Sequence, residues 1–224
     1  MKKVIYSVLV FALVLTIAGC GSKKKDKKEE KPKKATIDYM VLVNKKNKLP
    51  NNWEELVELE TAKDAWGDDV QVEKKALEQF YKLQKDLLAE GIDIELDSIY
   101  RSVAEQQDLW DRWTVEKGEE YVKTYVAVPG YSEHHTGLAI DVCLKIDGEI
   151  VADNEEMIAN KEIFAKVHAK LADYGFILRY PEGKKDITGY DYEPWHFRYI
   201  NDTKIAKEIM DNNLTFEEYL EKNK

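Results

Sequence analysis

Two short segments hold three of the four histidines in the chain. Tyr131-Ser132-Glu133-His134-His135-Thr136-Gly137-Leu138-Ala139-Ile140-Asp141 sets imidazoles ahead of a carboxylate, and Glu193-Pro194-Trp195-His196 sets a carboxylate just ahead of an imidazole. Imidazole nitrogen plus carboxylate oxygen, with no thiolate pair nearby, is the donor set of a catalytic rather than a structural zinc. A hydrolytic zinc needs three protein ligands, an open position for water, and a separate carboxylate to take that water's proton. His134, Asp141 and His196 are the candidate ligands of one zinc ion, and Glu193 is the candidate base.

Asp141 interrupts an otherwise apolar run from Leu138 to Leu144. A carboxylate inside such a strand is costly to bury unless a cation or hydrogen bonds compensate it. The proline and tryptophan between Glu193 and His196 stiffen that segment, so the carboxylate can stand beside a metal that the imidazole binds. Spacing alone leaves alternatives open. His135 competes with His134, because neighbours in an extended chain point to opposite sides. Cys143 shares a strand face with Asp141 and is either a small buried hydrophobe or a thiol near the metal layer. His168 lies in an amphipathic helix and reads as a surface or packing residue.

The elements that must position these groups follow from periodicity. Tyr39–Val43 reads as a strand, and Val72 to Glu90 repeats apolar residues at spacings of three and four, as a helix does, before Gly91. Ile92–Leu96 alternates apolar and charged residues as a half-buried strand and leads into Tyr100-Arg101-Ser102. Ser102 and Glu105 form a capping box that opens a helix toward Gly118. Arg101 therefore sits between a strand end and a helix start, where rigid elements hold a side chain still. Beyond Asp141, Asp147-Gly148 turns the chain toward Glu149–Val151. A helix is expected over Glu162–Tyr174, strands over Phe176–Tyr180 and Trp195–Ile200, and helices over Thr203–Met210 and Thr215–Lys222. The interleaving lacks the regular alternation of parallel βαβ units, so we expect an α+β single domain with a largely antiparallel central sheet flanked by helices and the zinc site on the sheet.

The chain has 224 residues with a formal charge of −9, enough for one domain of ordinary size with a real core. Lys2 and Lys3 precede an apolar stretch from Val4 to Ala18 that reads as a signal segment. Ile17-Ala18-Gly19-Cys20 resembles the lipobox of bacterial lipoproteins, which implies a signal peptide over residues 1–20 and a lipidated Cys20. Residues 22–34 carry eight lysines against three acids and no apolar side chain, so residues 21–35 are expected to form a disordered, solvated tether drawn to anionic headgroups. Residues from 36 onward hold 24 basic against 40 acidic side chains, a net charge of −16 that argues against nucleic-acid binding. With Cys20 lipidated, Cys143 has no partner for an internal disulfide.

Three blocks in order, Tyr100-Arg101-Ser102-x-x-x-Gln106, Ser132-x-His134-x-x-Gly137-x-Ala139-x-Asp141 and Glu193-Pro194-Trp195-His196, are similar to those of a known family. The chain over residues 36–202, including Leu42-Val43-Asn44-Lys45 and Tyr174–Tyr180, resembles the VanY-type zinc D-alanyl-D-alanine carboxypeptidases and the related LdcB-type L,D-carboxypeptidases. The resemblance implies that 36–224 is a zinc carboxypeptidase domain with His134, Asp141 and His196 as metal ligands and Glu193 as base. Arg101 matches an arginine that steadies the oxyanion or holds the substrate, although pairing with a structural acid is the alternative for this side chain. Ser132, Gln106, Tyr100 and Trp195 are the implied substrate contacts. Two positions depart from the family pattern: His135 stands in place of glutamine, and Ile99 in place of glycine.

The expected activity is removal of the C-terminal D-alanine from peptidoglycan stem pentapeptides by a monomer anchored at the extracellular face of a bacterial membrane. Cleavage of the L,D bond of a tetrapeptide uses the same four metal-site residues and is the first alternative. A non-catalytic wall-binding lipoprotein is the second, and the retained Glu193 argues against it, because a binding module has no need of a base. An endopeptidase acting on cross-links is a third.

Overall fold

The computed structural model describes residues 36–224; the expected signal peptide, Cys20 and the tether to residue 35 lie outside the described residues. The elements run α1 (Trp53–Leu56), β1 (Leu59–Lys63), β2 (Asp69–Glu73), α2 (Lys74–Ala89), β3 (Asp93–Leu96), α3 (Val103–Lys117), α4 (Glu119–Tyr125) and β4 (Ala139–Ile146). They continue with β5 (Glu149–Val151), α5 (Asn154–Ala159), α6 (Lys161–Leu171), β6 (Phe176–Tyr180), α7 (Lys185–Thr188), β7 (Glu193–Tyr199), α8 (Thr203–Asp211) and α9 (Phe216–Lys222). The main sheet has the order β3-β4-β7-β6, with β5 also paired to β4, and every pairing is antiparallel. β1 and β2 form a separate antiparallel hairpin. The fold is thus the expected α+β domain with an antiparallel sheet flanked by helices.

Apolar periodicity decides which faces pack. Phe80, Leu83 and Leu87 of α2 and Phe164, Val167 and Leu171 of α6 are fully buried in one core with Ile94, Ile140 and Phe197 of the sheet. Each such side chain contributes about 1.5–3 kcal/mol relative to exposure, so two helices on one sheet face make a rigid platform. The edges of the elements follow local chemistry. Ser102 Oγ accepts from the Glu105 N–H at 3.1 Å and Glu105 Oε2 accepts from the Ser102 N–H at 2.8 Å, which fixes the start of α3 just after Arg101. Asp147 and Gly148 take φ of 52° and 88°, as the tight β4–β5 turn requires.

Three expectations shift. Tyr39–Val43 is not a strand: the Tyr39 and Val41 carbonyls instead accept from Arg198 Nη2 at 2.9 and 2.8 Å, a buried guanidinium replacing a strand neighbour. The β1–β2 hairpin did not stand out from its charged surroundings in the sequence, and it takes Val72 and Glu73 from the expected helix. The last strand begins at Glu193 rather than Trp195, so the candidate base is part of the sheet.

Candidate active site

The β4–β7 register pairs Ala139 with Arg198, Ile140 with Phe197, and Asp141 with His196. Directly opposite residues of an antiparallel pair project to the same face. His134 arrives from a 3-10 turn, Glu133–Thr136, that closes on Gly137 at φ 69°. A Cβ at Gly137 would also stand 2.8 Å from the Leu59 side chain, so only glycine lets the turn enter β4 here.

Hydrogen bonds choose the nitrogens. His134 Nδ1 is 2.6 Å from the Ile99 carbonyl and must donate to it, which leaves the Nε2 lone pair facing Asp141 Oδ2 at 3.3 Å. His196 Nε2 is 3.2 Å from Glu133 Oε2, and Nδ1 points to the other side, 2.8 Å from Asp141 Oδ1. The donor atoms of His134, Asp141 and His196 all lie within 4.8 Å of one another. Asp141 Oδ1 is buried and receives no hydrogen bond, although His196 Nδ1 is so near. A buried acceptor left unbonded between two imidazoles is what a shared cation would satisfy. Two imidazole nitrogens and one carboxylate oxygen fit zinc.

The charges around this point are strongly coupled. Burial pushes Asp141 up, but the charges of His134 and His196 outweigh it and hold the carboxyl well below the usual range. Burial pushes His196 down, and the Asp141 and Glu133 carboxylates reverse that, raising it to about 10.

Glu193 reaches the same point by a backbone irregularity. Leu178 pairs with Phe197 and Tyr180 with Glu193, so the β6–β7 ladder slips around Pro194, which has no N–H to donate. A regular strand would place residues three apart on opposite faces. The slip instead brings Glu193 Oε2 to 3.6 Å from His196 Nδ1. Burial, partly offset by His196 and reinforced by Asp141, pushes the Glu193 pKa up to about 7, suited to a base that must both take and return a proton. The Pro194 carbonyl accepts from His168 Nε2 at 2.8 Å, so His168 on α6 braces the segment carrying Glu193.

Arg101 faces these groups from the start of α3. Its Nη1 donates to Gln106 Oε1 at 2.8 Å and its Nη2 to Ser98 Oγ at 2.9 Å. Both partners are neutral, so the guanidinium is held in place without its charge being cancelled at contact distance. Gln106 is fully buried and its amide is engaged at both ends, Nε2 donating to the Ala127 carbonyl at 2.8 Å. It holds Arg101 as part of the wall. A cavity of about 470 Å³ is lined by Arg101, Gln106, Ser132, His134, Asp141, Glu193, Trp195 and His196. Tyr180, Tyr190 and Tyr192 line it as well, and the Tyr180 ring lies 4.7 Å from the His196 ring. Tyr100 lies outside this cavity, in the adjoining depression with Arg101, Glu105 and Arg112.

The open alternatives resolve on geometry. His135 Nδ1 donates to the Arg101 carbonyl at 2.6 Å while Nε2 accepts from the Gly130 N–H at 3.0 Å, so both nitrogens serve the backbone and neither faces the cavity. Cys143 is buried with Sγ 3.8 Å from the Glu95 carbonyl, and burial pushes its thiol up to about 12, so it is a protonated core residue. Sequence reasoning missed Glu133 and the part played by His168. The available signal for Glu133 was the pair Arg179 and Arg198, two cations inside strand runs that need a buried counter-charge.

Residues 69–202 match the VanY family, described as D-alanyl-D-alanine carboxypeptidase, and the chain belongs to that family. The bifunctional D-Ala-D-Ala dipeptidase and D-Ala-D-Ala carboxypeptidase VanXYC of Enterococcus gallinarum is 41% identical over 155 residues, 67% of this chain and 78% of the relative. The structure of the LdcB LD-carboxypeptidase superposes with a TM-score of 0.70 at 36% identity, covering 81% of this chain and 85% of that one. A point mutant of the VanY D,D-pentapeptidase from the VanB-type resistance cassette, in complex with Zn(II), superposes at 0.65 with 30% identity, covering 81% and 98%.

Proposed function

We propose that this chain is a zinc-dependent D,D-carboxypeptidase that removes the terminal D-alanine from peptidoglycan stem pentapeptides. The observation that carries this reading is that donor atoms of His134, Asp141 and His196 lie within 4.8 Å of one another, with Asp141 Oδ1 unbonded and Glu193 Oε2 3.6 Å from His196 Nδ1. The Zn(II) held by the related VanY, and the D-Ala-D-Ala activities of VanXYC, support the metal and the bond.

His134, Asp141 and His196 would hold the ion. Bound there, zinc would polarise the scissile carbonyl and acidify the attacking water. Glu193 takes the proton of that water and delivers it to the leaving amine of D-alanine, a double role that its raised pKa permits. Arg101, fixed by Gln106 and Ser98, offers a guanidinium to the anionic oxygen that develops on the carbonyl or to the substrate carboxylate. Ser132 and Trp195 shape the cavity in which the peptide end lies, and Tyr100 contributes only at its outer margin.

The LdcB likeness favours a second reading, cleavage of the L,D bond of a tetrapeptide with the same machinery. Mass spectrometry of muropeptides incubated with the zinc-loaded protein separates the two. Conversion of pentapeptide to tetrapeptide supports the D,D reading, and conversion of tetrapeptide to tripeptide with pentapeptide untouched replaces it with the L,D reading. In this proposal the enzyme acts as a monomer outside the cell, held to the membrane by a lipidated Cys20 and a basic tether.

A further inference from the structure

Beneath the site lies a buried ion network that reaches the C-terminal helix. Glu133, Arg179 and Arg198 have fully buried side chains. Arg179 Nε and Arg198 Nη1 both donate to Glu133 Oε1 at 2.8 Å, which leaves Oε2 for His196 Nε2 at 3.2 Å. The far side of Arg179 is gripped by Glu217 of α9, which accepts from Nη1 at 2.8 Å and from Nη2 at 2.6 Å. Asn44 Nδ2 donates to Glu217 Oε1 at 3.0 Å and fixes the carboxylate in turn. Two carboxylates thus face two guanidiniums, whose charges balance before His196 is counted.

We propose that Glu217 is a positioning residue for His196, acting through Arg179 and Glu133 to set the direction of the metal-facing nitrogen. The inference rests on the reading that His196 holds the metal. A bidentate carboxylate fixes the plane of a guanidinium, and that plane sets where the Arg179 Nε–H meets Glu133. The carboxylate of Glu133 in turn holds the Nε2–H of His196, so that Nδ1 presents its lone pair to the cavity. Outer-shell carboxylates on a ligand histidine lock its tautomer and ring orientation. Removing the charge of Glu217 leaves the network with one cation in excess. That excess draws Glu133 toward Arg179 and weakens its hold on His196. Glu217 lies beyond residues 69–202, so the helix adds a support outside the part of the chain that matches the family.

Glu218, the next residue of α9, supplies the control. It pairs with Lys184 at 3.1 Å and caps the helix through Thr215, but the contacts of Glu218 do not include this network. The full chain and its E217Q, E217D and E218Q variants are stripped of metal and titrated with Zn(II) against a chromophoric chelator. Visible spectra of the Co(II)-substituted forms report the ligand field. E217Q is expected to raise the zinc Kd about tenfold, the low end for loss of outer-shell support. E217D, which keeps the charge on a shorter arm, should fall between E217Q and wild type, and it carries the test if E217Q fails to fold. E218Q should stay within about twofold of wild type, and the cobalt bands should shift only in the Glu217 variants. A Glu217 variant with the zinc Kd and cobalt spectrum of wild type overturns the proposal, as does an equal loss in E218Q, which would mark general loosening of the helix. Wild type that binds no zinc would instead overturn the functional reading, and this inference with it.

Discussion

Asp141 and His196 are register partners across β4 and β7, and Asp141 Oδ1 lies 2.8 Å from His196 Nδ1 without receiving a hydrogen bond. The sheet itself therefore fixes the spacing of two proposed ligands. Alanine at His134, Asp141 or His196 is expected to lower zinc affinity by at least about 100-fold, read by competition with a chelator. Because the three are held by register and a turn rather than by the ion, these variants should keep the far-ultraviolet circular dichroism of wild type. Retention of one tightly bound zinc in H196A would remove His196 from the set.

The metal-free site holds a proton that zinc must displace. Burial lowers the His196 pKa, but the Asp141 and Glu133 carboxylates raise it to about 10, so the imidazole is protonated at neutral pH. Zinc uptake at pH 7 should release about one proton from His196, and affinity should climb about tenfold per pH unit below pH 10. Calorimetry in buffers of different ionisation enthalpy measures the release. Uptake with no proton exchanged would contradict the assignment of Nδ1 as a ligand.

Glu193→Gln should keep zinc and lose about 10³-fold or more in kcat, within the range for loss of a positioned acid–base group. The same change tests the burial of this carboxyl. Its folded pKa of about 7 exceeds the ordinary 4.5, so it favours the fold below pH 4.5 and that contribution is lost as pH rises through 7. Metal-free E193Q should therefore gain up to about 3 kcal/mol over wild type at pH 8 and little at pH 5, as read by denaturant unfolding. Equal stability at both values would contradict the strained carboxylate.

Arg101→Ala is expected to cost about 100-fold or more in kcat/KM, comparable to loss of an oxyanion donor. Gln106→Ala should give a smaller loss, because it frees one end of the Arg101 fork and leaves the charge in place. If Gln106→Ala proved the more damaging, Gln106 would be meeting the substrate itself.

His168→Ala leaves the Pro194 carbonyl without its donor. An unpaired buried carbonyl costs about 1–3 kcal/mol, so the melting temperature should fall while zinc stoichiometry stays at wild type. A variant with unaltered stability would mean that Pro194 finds water instead.

Much of the site was legible because its chemistry sits in short ordered blocks. Asp141, Glu193 and His196 were named from residue type and spacing, His134 was favoured over His135 only by the family resemblance, and the strand and capping-box signals around Arg101 were local enough to read. What escaped depends on long-range contacts. Glu133 looked like one more charged neighbour in a histidine-rich turn, since the arginines that justify its burial lie on β6 and β7. His168 read as an ordinary helical residue because its carbonyl partner is on another element. The Tyr39–Val43 run has strand-like composition, yet the buried Arg198 on β7 claims its carbonyls. Cys143 shares the strand parity of Asp141, but its thiol meets the Glu95 carbonyl and does not line the cavity.

The most direct measurement is release of D-alanine from a stem pentapeptide ending in D-Ala-D-Ala, followed by mass spectrometry with wild type and E193Q at equal zinc content, with and without a chelator. The account predicts tetrapeptide and one free D-alanine per turnover from zinc-loaded wild type only, activity lost on chelation and restored by zinc. Turnover that survives complete removal of metal, or E193Q as active as wild type, would contradict it.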